Sequence, residues 1–279
     1  MVLTSFAKLN LYLEVLNIRK DGYHNIRTIF ERISLCDKII LKARQDSKIK
    51  ISCRSKDVPQ DNTNLTYRAA KLLQEKFGLD KGVEIRIIKR IPVGAGLGGG
   101  SSNAASVLLG LNKLWKLKLK RERLVPLAKE IGADVPFFIY NTPIALGCGR
   151  GDIIRPLKEL KNRRFWHVLV VPKINVSTPF IYKQWDKEGA GLTKPKYSVK
   201  ITNLPGSLFN SLEAVTSRLY PEVEEIKEQF RDSGLKKILM SGSGPAVFAL
   251  VSSRKEASRI SRQLMMRNIS GRVFTVWTI

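Results

Sequence analysis

The chain has 279 residues, 43% of them hydrophobic, which is enough to bury one large core or two smaller ones. No apolar run approaches the roughly 20 residues of a membrane-spanning helix, and the three scattered cysteines form neither a zinc motif nor a disulfide framework. The formal net charge is +25, but the basic residues are spread along the whole chain without interleaved aromatic residues, which argues against a base-stacking nucleic-acid surface.

The first ninety residues have the pattern of strands interrupted by one helix. Apolar and polar residues alternate from Leu9 to Val15, which predicts a half-buried strand, and a turn with Asp21-Gly22 at its tip follows. A helix is predicted from Leu65 to Phe77, with Gly78 ending it. Further strands are predicted at 26–33, 38–41, 49–51 and 83–87.

The next segment, residues 92–105, is the most informative part of the chain. It places five glycines and two serines between a predicted strand and a predicted helix. Glycine lets the backbone approach a phosphate closely, and successive N–H groups can then bind its oxygens. The start of the following helix adds unpaired N–H groups. The segment therefore predicts a phosphate site, most naturally for a nucleotide.

Other glycine-rich motifs fit this segment poorly. A P-loop requires lysine where Gly100 stands. Gly94, Gly96 and Gly99 satisfy Gly-x-Gly-x-x-Gly, but no acidic residue at a strand end follows roughly 20 residues on, as a dinucleotide site requires. The His-Arg-Asp and Asp-Phe-Gly motifs of protein kinases do not occur. A turn that serves close packing alone would not need so many glycines.

The remainder of the chain alternates helices and strands, which indicates an α+β fold. Asp134, ahead of Pro136, stands where a helix N-cap is expected. A basic polar segment at 158–164 divides the chain into predicted domains of residues 1–160 and 161–279. Residues 187–203 are predicted to be a surface loop. Helices are predicted at 103–115, 124–131, 178–185, 211–218, 221–233 and 255–267, and strands at 144–149, 153–157, 166–171, 238–240, 247–251 and 273–279.

Three separated segments carry a family pattern. Residues 6–11 (Phe-Ala-Lys-Leu-Asn-Leu) open the chain, the glycine loop lies near residue 100, and a Ser-Gly-Ser-Gly-Pro turn occupies 241–245. This order resembles the GHMP small-molecule kinases, and the form Gly-x-Gly-Leu-Gly-Gly-Gly-Ser-Ser is specific to that superfamily. The resemblance implies a two-domain α+β fold, with an N-terminal part like the second domain of ribosomal protein S5 and a ferredoxin-like C-terminal part. ATP and substrate would meet in the cleft between them.

Further blocks at 21–24, 132–138 and 177–182 resemble one branch of this family, which acts on a cytidine-diphosphate-linked methylerythritol in isoprenoid precursor synthesis. The resemblance implies transfer of the ATP γ-phosphate to the 2-hydroxyl of that substrate, with Mg²⁺ accompanying ATP. Two alternatives stay open. One is another GHMP kinase, acting on mevalonate, homoserine or a sugar. The other is a basic nucleic-acid-binding protein with a degenerate kinase fold.

The resemblance places the catalytic aspartate of the family at Asp134, where it would accept the proton of the substrate hydroxyl. Without the resemblance, a helix N-cap would be the better interpretation. Lys8 would lie beside Asp134 and stabilise negative charge, whereas a lysine in so basic a chain is otherwise expected at the surface. Asn10 shares a strand face with Lys8 and could hold the substrate hydroxyl.

The implied ATP site is the glycine loop, with the hydroxyls of Ser101 and Ser102 as further donors. Lys89, Asn64 and Leu65 would line the adenosine site. The loop residues expected to wrap the phosphates are Pro92, Val93, Gly94, Ala95, Gly96, Leu97, Gly98, Gly99, Gly100, Ser101 and Ser102.

The implied substrate pocket is aromatic. Tyr23 and Tyr182 would stack on the two faces of cytosine and His24 would bind its edge, although core packing is the commoner fate of such residues. Thr178 would join the pocket. Contacts to substrate phosphates are expected from Ser241, Gly242, Ser243 and Gly244, unless these form a plain hairpin turn. We expect no cluster of protein metal ligands. The expected partner is a small molecule, with no membrane or stable nucleic-acid partner, and the chain is expected to be a monomer or a weak homodimer. A cytoplasmic location is expected because no signal-peptide pattern opens the chain.

Overall fold

The computed structural model describes residues 1–188, 206–267 and 269–279, which form two β-sheets with helices packed against them. The strands β1 to β11 are Val2–Ile18, His24–Arg44, Ile49–Cys53, Gly82–Ile88, Ile144–Cys148, Ile153–Pro156, Trp166–Val171, Phe209–Asn210, Ile238–Met240, Val247–Val251 and Arg272–Trp277. The helices α1 to α8 are Leu65–Phe77, Gly99–Leu114, Arg121–Ile131, Val135–Tyr140, Thr178–Lys187, Glu213–Leu219, Pro221–Asp232 and Arg254–Met266. None of these helices combines the length and apolarity that crossing a bilayer requires.

The first sheet has the order β3-β4-β2-β1-β8, and β5 pairs with β2 and β6. The long antiparallel pair β1 and β2 forms its centre, and α1 to α4 contribute to the apolar core beside it. The two strands predicted at 26–33 and 38–41 are parts of the single strand β2. A register shift in the pairing with β1, at Phe6 and Ala7, interrupts the side-chain alternation there and explains the apparent gap.

The second sheet is antiparallel, with the order β11-β7-β10-β9. Helices α5 to α8 pack with it around a second apolar core. Its strands and helices agree with the predicted ones to within a few residues. The strand β8 was not predicted, because its two residues are too short for periodicity; it pairs in parallel with Tyr12 and Leu13 of β1. The loop predicted at 187–203 lies largely outside the described residues.

The strand β1 is buried on both faces, so the prediction of a half-buried strand was wrong. Leu9 and Leu11 pack in a third apolar cluster with Leu169 and Phe248 of the second sheet. The opposite, polar face is also covered, since Lys8 is only 4% exposed. The sequence shows that this face is polar. Only the tertiary structure shows that it forms the floor of a cavity.

A buried polar contact also joins the two sheets. His167 of β7 places Nε2 2.9 Å from a carboxylate oxygen of Glu31 in β2, and both side chains are fully buried. Thr278 donates its hydroxyl to the other oxygen of the same carboxylate. These contacts, together with the third apolar cluster, fix the orientation of the two sheets on either side of the cavity.

Candidate active site

A cavity of about 970 Å³ lies among the glycine loop, the β1–β2 hairpin, the β5–β6 hairpin and α5. Its lining brings residues of the first sheet together with residues of α5 and of the turn that joins β9 to β10, and the sequence assigned these residues to a single site. The predicted residues that line it are Lys8, Asn10, Tyr23, His24, Asn64, Leu65, Lys89, Pro92, Val93, Gly94, Ala95, Gly96, Leu97, Gly98, Gly99, Gly100, Ser101, Asp134, Thr178, Tyr182, Gly242 and Ser243.

The glycine loop has the backbone that an anion cradle requires. Gly94, Gly96 and Gly98 have φ of +67°, +73° and +65°, in the left-handed region that favours glycine. Helix α2 begins directly afterwards at Gly99, earlier than the predicted start at Asn103. The run Gly-Gly-Ser-Ser has no apolar periodicity, which is why the sequence pattern missed the first turn. The unpaired N–H groups of that turn therefore lie in the loop that lines the cavity.

The side chains of the two serines of the loop point in different directions. Ser101 lines the cavity. Ser102 is 2% exposed and its hydroxyl accepts a hydrogen bond of 2.7 Å from Ser5 on β1, so the expectation that it donates to phosphate is wrong for this structure. The reason is helical geometry, because adjacent residues on a helix point about 100° apart and only one of the two can face the cavity.

The Ser-Gly-Ser-Gly-Pro turn joins β9 to β10 and packs against the glycine loop. The Ser241 hydroxyl accepts from the Asn10 N–H and donates to the Gly96 carbonyl, each at 3.2 Å. Asn210 of β8 donates to the carbonyl of Gly242 at 2.7 Å. Ser241 is fully buried, and neither it nor Gly244 lines the cavity. These two residues therefore brace the loops, whereas Gly242 and Ser243 reach the site.

Lys8 and Asp134 form an ion pair in the cavity. Lys8 Nζ lies 3.6 Å from Asp134 Oδ2, and the two side chains are 5% and 32% exposed. The same Nζ donates to Asn10 Oδ1 at 2.5 Å. Burial lowers the pKa of Lys8 below its usual range, and the nearby Asp134 carboxylate opposes this shift. Asp134 occupies the N-cap position of α4 but makes no side-chain capping bond, so its carboxylate is directed to Lys8 instead.

The other end of the cavity is aromatic. The rings of His24 and Tyr182 lie 4.9 Å apart with an interplanar angle of 32°. Tyr23 is 54% exposed, and the Arg150 guanidinium lies 4.9 Å from its ring centroid. Burial raises the pKa of Tyr182. Thr178, at the start of α5, shares a hydrogen bond of 2.7 Å with Ser243.

Sequence reasoning missed two polar residues at this aromatic end. Arg150 lies in the β5–β6 turn between Gly149 and Gly151, and the pairing with Tyr23 had no local signal. Asp186 Oδ1 lies 2.7 Å from His24 Nε2. The one available signal was spacing: Asp186 follows Tyr182 by four residues, one position beyond the helix predicted to end at 185, and shares its face because the helix continues to Lys187.

The expected adenosine-site residues are held by specific contacts. Asn64 caps α1 by accepting from the Thr66 N–H at 2.8 Å. Lys89 Nζ lies 2.6 Å from Asp37 Oδ2, and the Asp37 side chain is fully buried. Asp37 also accepts from the N–H groups of Arg90 and Ile91 and from the side chain of Asn103. A single aspartate inside a strand gave no sequence signal for this role.

Two family models match separate parts of the chain. Residues 64–142 match the model of the GHMP kinases N terminal domain, and residues 201–268 match that of the GHMP kinases C terminal. The 4-diphosphocytidyl-2-C-methyl-D-erythritol kinase of Bacillus pumilus is 41% identical over 276 residues, covering 97% of this chain and 94% of that one. The enzyme of the same name from Alkaliphilus metalliredigens is 43% identical over 256 residues, covering 89% and 87%.

Comparison with solved structures leads to the same family as comparison with these relatives. A crystal structure of 4-(cytidine 5'-diphospho)-2C-methyl-D-erythritol kinase has a TM-score of 0.83 and 36% identity, covering 100% of both chains. Mevalonate kinase from L. major has a TM-score of 0.75 at 17% identity, which is a likeness of fold alone. The chain therefore belongs to the GHMP kinases, and within that family to the 4-diphosphocytidyl-2-C-methyl-D-erythritol kinases. The two-domain fold predicted from the resemblance is confirmed.

Proposed function

We propose that this chain transfers the γ-phosphate of ATP to the 2-hydroxyl of 4-diphosphocytidyl-2-C-methyl-D-erythritol, giving ADP and the 2-phosphate, a step of the methylerythritol phosphate pathway to isoprenoid precursors. The observation that carries this proposal is the cavity itself. It has a glycine cradle and an aromatic end, and the Lys8–Asp134 pair lies in the same cavity. The relatives at 41 and 43% identity bear the name of this activity.

Asp134 is the proposed general base. Phosphoryl transfer to an alcohol requires a positioned acceptor for the hydroxyl proton, and the partly exposed Asp134 carboxylate opens to the cavity. Lys8 would stabilise charge on the attacking oxygen and the transferring phosphoryl group. Asn10 accepts from Lys8 through Oδ1 and donates to Thr28 through Nδ2, so we assign it first to the orientation of Lys8.

The glycine loop would bind the ATP phosphates through backbone N–H groups and the first turn of α2. Ser101, Lys89, Asn64 and Leu65 extend this proposed nucleotide site. Among the described residues, no group of three or more His, Cys, Asp or Glu could hold a metal ion. Mg²⁺ would enter on the phosphate oxygens of ATP, where it neutralises charge.

The aromatic end would bind the cytidine part of the substrate. Tyr23 and Tyr182 would stack on the base and His24 would bind its edge, with Thr178, Gly242 and Ser243 nearer the phosphates. We further propose a cytoplasmic enzyme with a small-molecule substrate, active as a monomer or weak homodimer, whose domains meet near residue 160.

The test is ADP release with Mg-ATP on four acceptors: 4-diphosphocytidyl-2-C-methyl-D-erythritol, mevalonate, homoserine and galactose. Turnover on the cytidine compound alone is the expected result. Turnover on one of the other three alcohols instead would contradict the assigned substrate while leaving the kinase class intact. Absence of turnover on all four, from a protein with cooperative thermal unfolding, would refute the proposal.

A further inference from the structure

A carboxylate holds one nitrogen of the histidine at the aromatic end of the cavity. His24 is the first residue of β2 and is 7% exposed. Its Nε2 lies 2.7 Å from Oδ1 of Asp186, whose side chain is 39% exposed. Both residues line the cavity.

Two aromatic side chains of the same helix also contact the imidazole. Tyr182 lies 4.9 Å from the ring at 32°, and Trp185 meets it edge-on, at 5.8 Å and 87°. Tyr182, Trp185 and Asp186 occupy positions i, i+3 and i+4 of α5, which share one helix face. Helix α5 therefore fixes both the plane of the imidazole and its rotation within that plane.

The chemistry of the contact determines which nitrogen carries the proton. An ionised carboxylate can only accept hydrogen bonds, so Nε2 must be the protonated nitrogen in the Asp186 contact. In the neutral ring the proton is then absent from Nδ1, which keeps a lone pair.

We propose that Asp186 is a positioning residue that makes the site selective for cytosine over uracil. By holding the Nε2–H of His24, it leaves Nδ1 as an acceptor for the exocyclic amine of cytosine. Uracil carries a carbonyl oxygen in place of that amine, so two lone pairs would face each other. This inference rests on the proposed function, because it assumes that the base lies at the aromatic end of the cavity.

A double-mutant cycle tests the inference, with cytidine- and uridine-diphospho-methylerythritol as paired substrates. Asp186→Ala is expected to raise KM for the cytidine substrate about tenfold, with kcat within twofold and KM for ATP unchanged. The ratio of kcat/KM between the cytidine and uridine substrates should fall by a similar factor. His24→Phe keeps a ring for stacking but has no nitrogen, so in that background Asp186→Ala should change nothing further.

Lys187→Ala is the matched control, because Lys187 neighbours Asp186 on α5, is exposed and does not line the cavity. It should leave both kinetic constants and the base preference unchanged. An equal effect of Asp186→Ala with and without His24, or an unchanged cytidine-to-uridine ratio, would overturn the inference and make Asp186 a residue that merely stabilises α5.

Equilibrium binding separates this inference from the proposed function. Titration of CDP and UDP into the wild-type protein and Asp186→Ala measures base preference without any phosphoryl transfer. A preference for CDP that Asp186→Ala removes supports the inference, even if the cytidine substrate is not turned over. Turnover of the cytidine substrate with the same CDP preference in both proteins refutes the inference and leaves the proposed function standing.

Discussion

Lys8 Nζ lies 3.6 Å from Asp134 Oδ2, which joins the central strand β1 to the N-terminus of α4 inside the cavity. The pair combines a buried ammonium with a carboxylate that is one-third exposed. The carboxylate is therefore accessible to a substrate hydroxyl, while the ammonium is held in place by Asn10. The partly exposed carboxylate of Asp134 therefore suits the proposed role of a base, and the buried ammonium of Lys8 suits that of a fixed cation.

Replacing the carboxylate by an amide tests the proposed base. Asp134→Asn is nearly isosteric but cannot accept the proton, so kcat should fall by about 10² to 10⁴. KM for both substrates should change by less than threefold, because the cavity keeps its shape. Steady-state ADP release measures both quantities. Asp232→Asn is a suitable control, since Asp232 is exposed at the end of α7 and does not line the cavity. Asp134→Asn with most of the wild-type activity would show that the base assignment is wrong.

The pH dependence of kcat/KM should reflect the ionisation of Lys8. Burial lowers its pKa from the ordinary lysine value of 10.5, with Asp134 opposing the shift. The ammonium is the form that stabilises phosphoryl charge, so the alkaline limb of kcat/KM should lie below pH 10.5. In Lys8→Arg, which stays charged throughout, that limb should move to higher pH. An alkaline limb at the same pH in both proteins would assign it to another group.

The lowered pKa of Lys8 also makes the stability of the fold depend on pH. The unfolded chain binds the Lys8 proton more tightly than the folded chain does, because the folded-state pKa is the lower of the two. This residue therefore disfavours folding at low pH, and that penalty diminishes as the pH rises through the folded-state pKa towards 10.5. Urea unfolding of the wild type and of Lys8→Met measures this change. From about pH 7 to about pH 10, the free energy of unfolding of the wild type should rise relative to that of the variant.

The contact between the glycine loop and the Ser-Gly-Ser-Gly-Pro turn should leave no room for a Cβ atom at Gly96. A Cβ at Gly96 would lie 2.1 Å from the Ser241 carbonyl oxygen, so Gly96→Ala should separate the loops and raise KM for ATP at least tenfold. Gly234 has a similar φ, +81° against +73°, but a Cβ there would meet nothing within 4 Å. Gly234→Ala should therefore show only the conformational cost, about 1 kcal/mol, with normal KM for ATP. Equal effects of the two substitutions would contradict the close approach.

The aromatic pair should determine affinity for the cytidine substrate. Tyr23→Ala or Tyr182→Ala should raise KM for this substrate about tenfold or more, with little change in KM for ATP, because each removes one stacking face. Tyr182→Phe keeps the ring and serves as the control. An unchanged KM in both alanine variants would exclude the stacking model.

The buried carboxylate of Asp37 should support both folding and ATP binding. Asp37→Ala leaves the Lys89 ammonium without its partner and two N–H groups without an acceptor, which should destabilise the fold by about 3–5 kcal/mol. Urea denaturation measures this change, and KM for ATP should rise with it. Asp46→Ala, which breaks an ion pair at the surface, should have little effect on either. A stable Asp37→Ala protein would mean that water replaces the carboxylate.

The sequence by itself determined most of the elements and the chemical class of the site. Apolar periodicity predicted α1, α7 and α8 closely, because one face of each helix is buried in the core. The glycine loop indicated a phosphate cradle, because left-handed φ values at Gly94, Gly96 and Gly98 are a local backbone requirement. The family resemblance, rather than periodicity, assigned the proposed roles of Lys8 and Asp134.

Only the tertiary structure decided which of the nominated side chains meet. Ser101 and Ser102 are adjacent in the sequence, yet one lines the cavity and the other bonds to Ser5. Asp37 gave no local pattern and Asp186 gave only its spacing from Tyr182, since their partners Lys89 and His24 lie on other elements. Periodicity reports which face of an element is apolar. It does not report what covers a polar face, and long-range packing of the two sheets decides that.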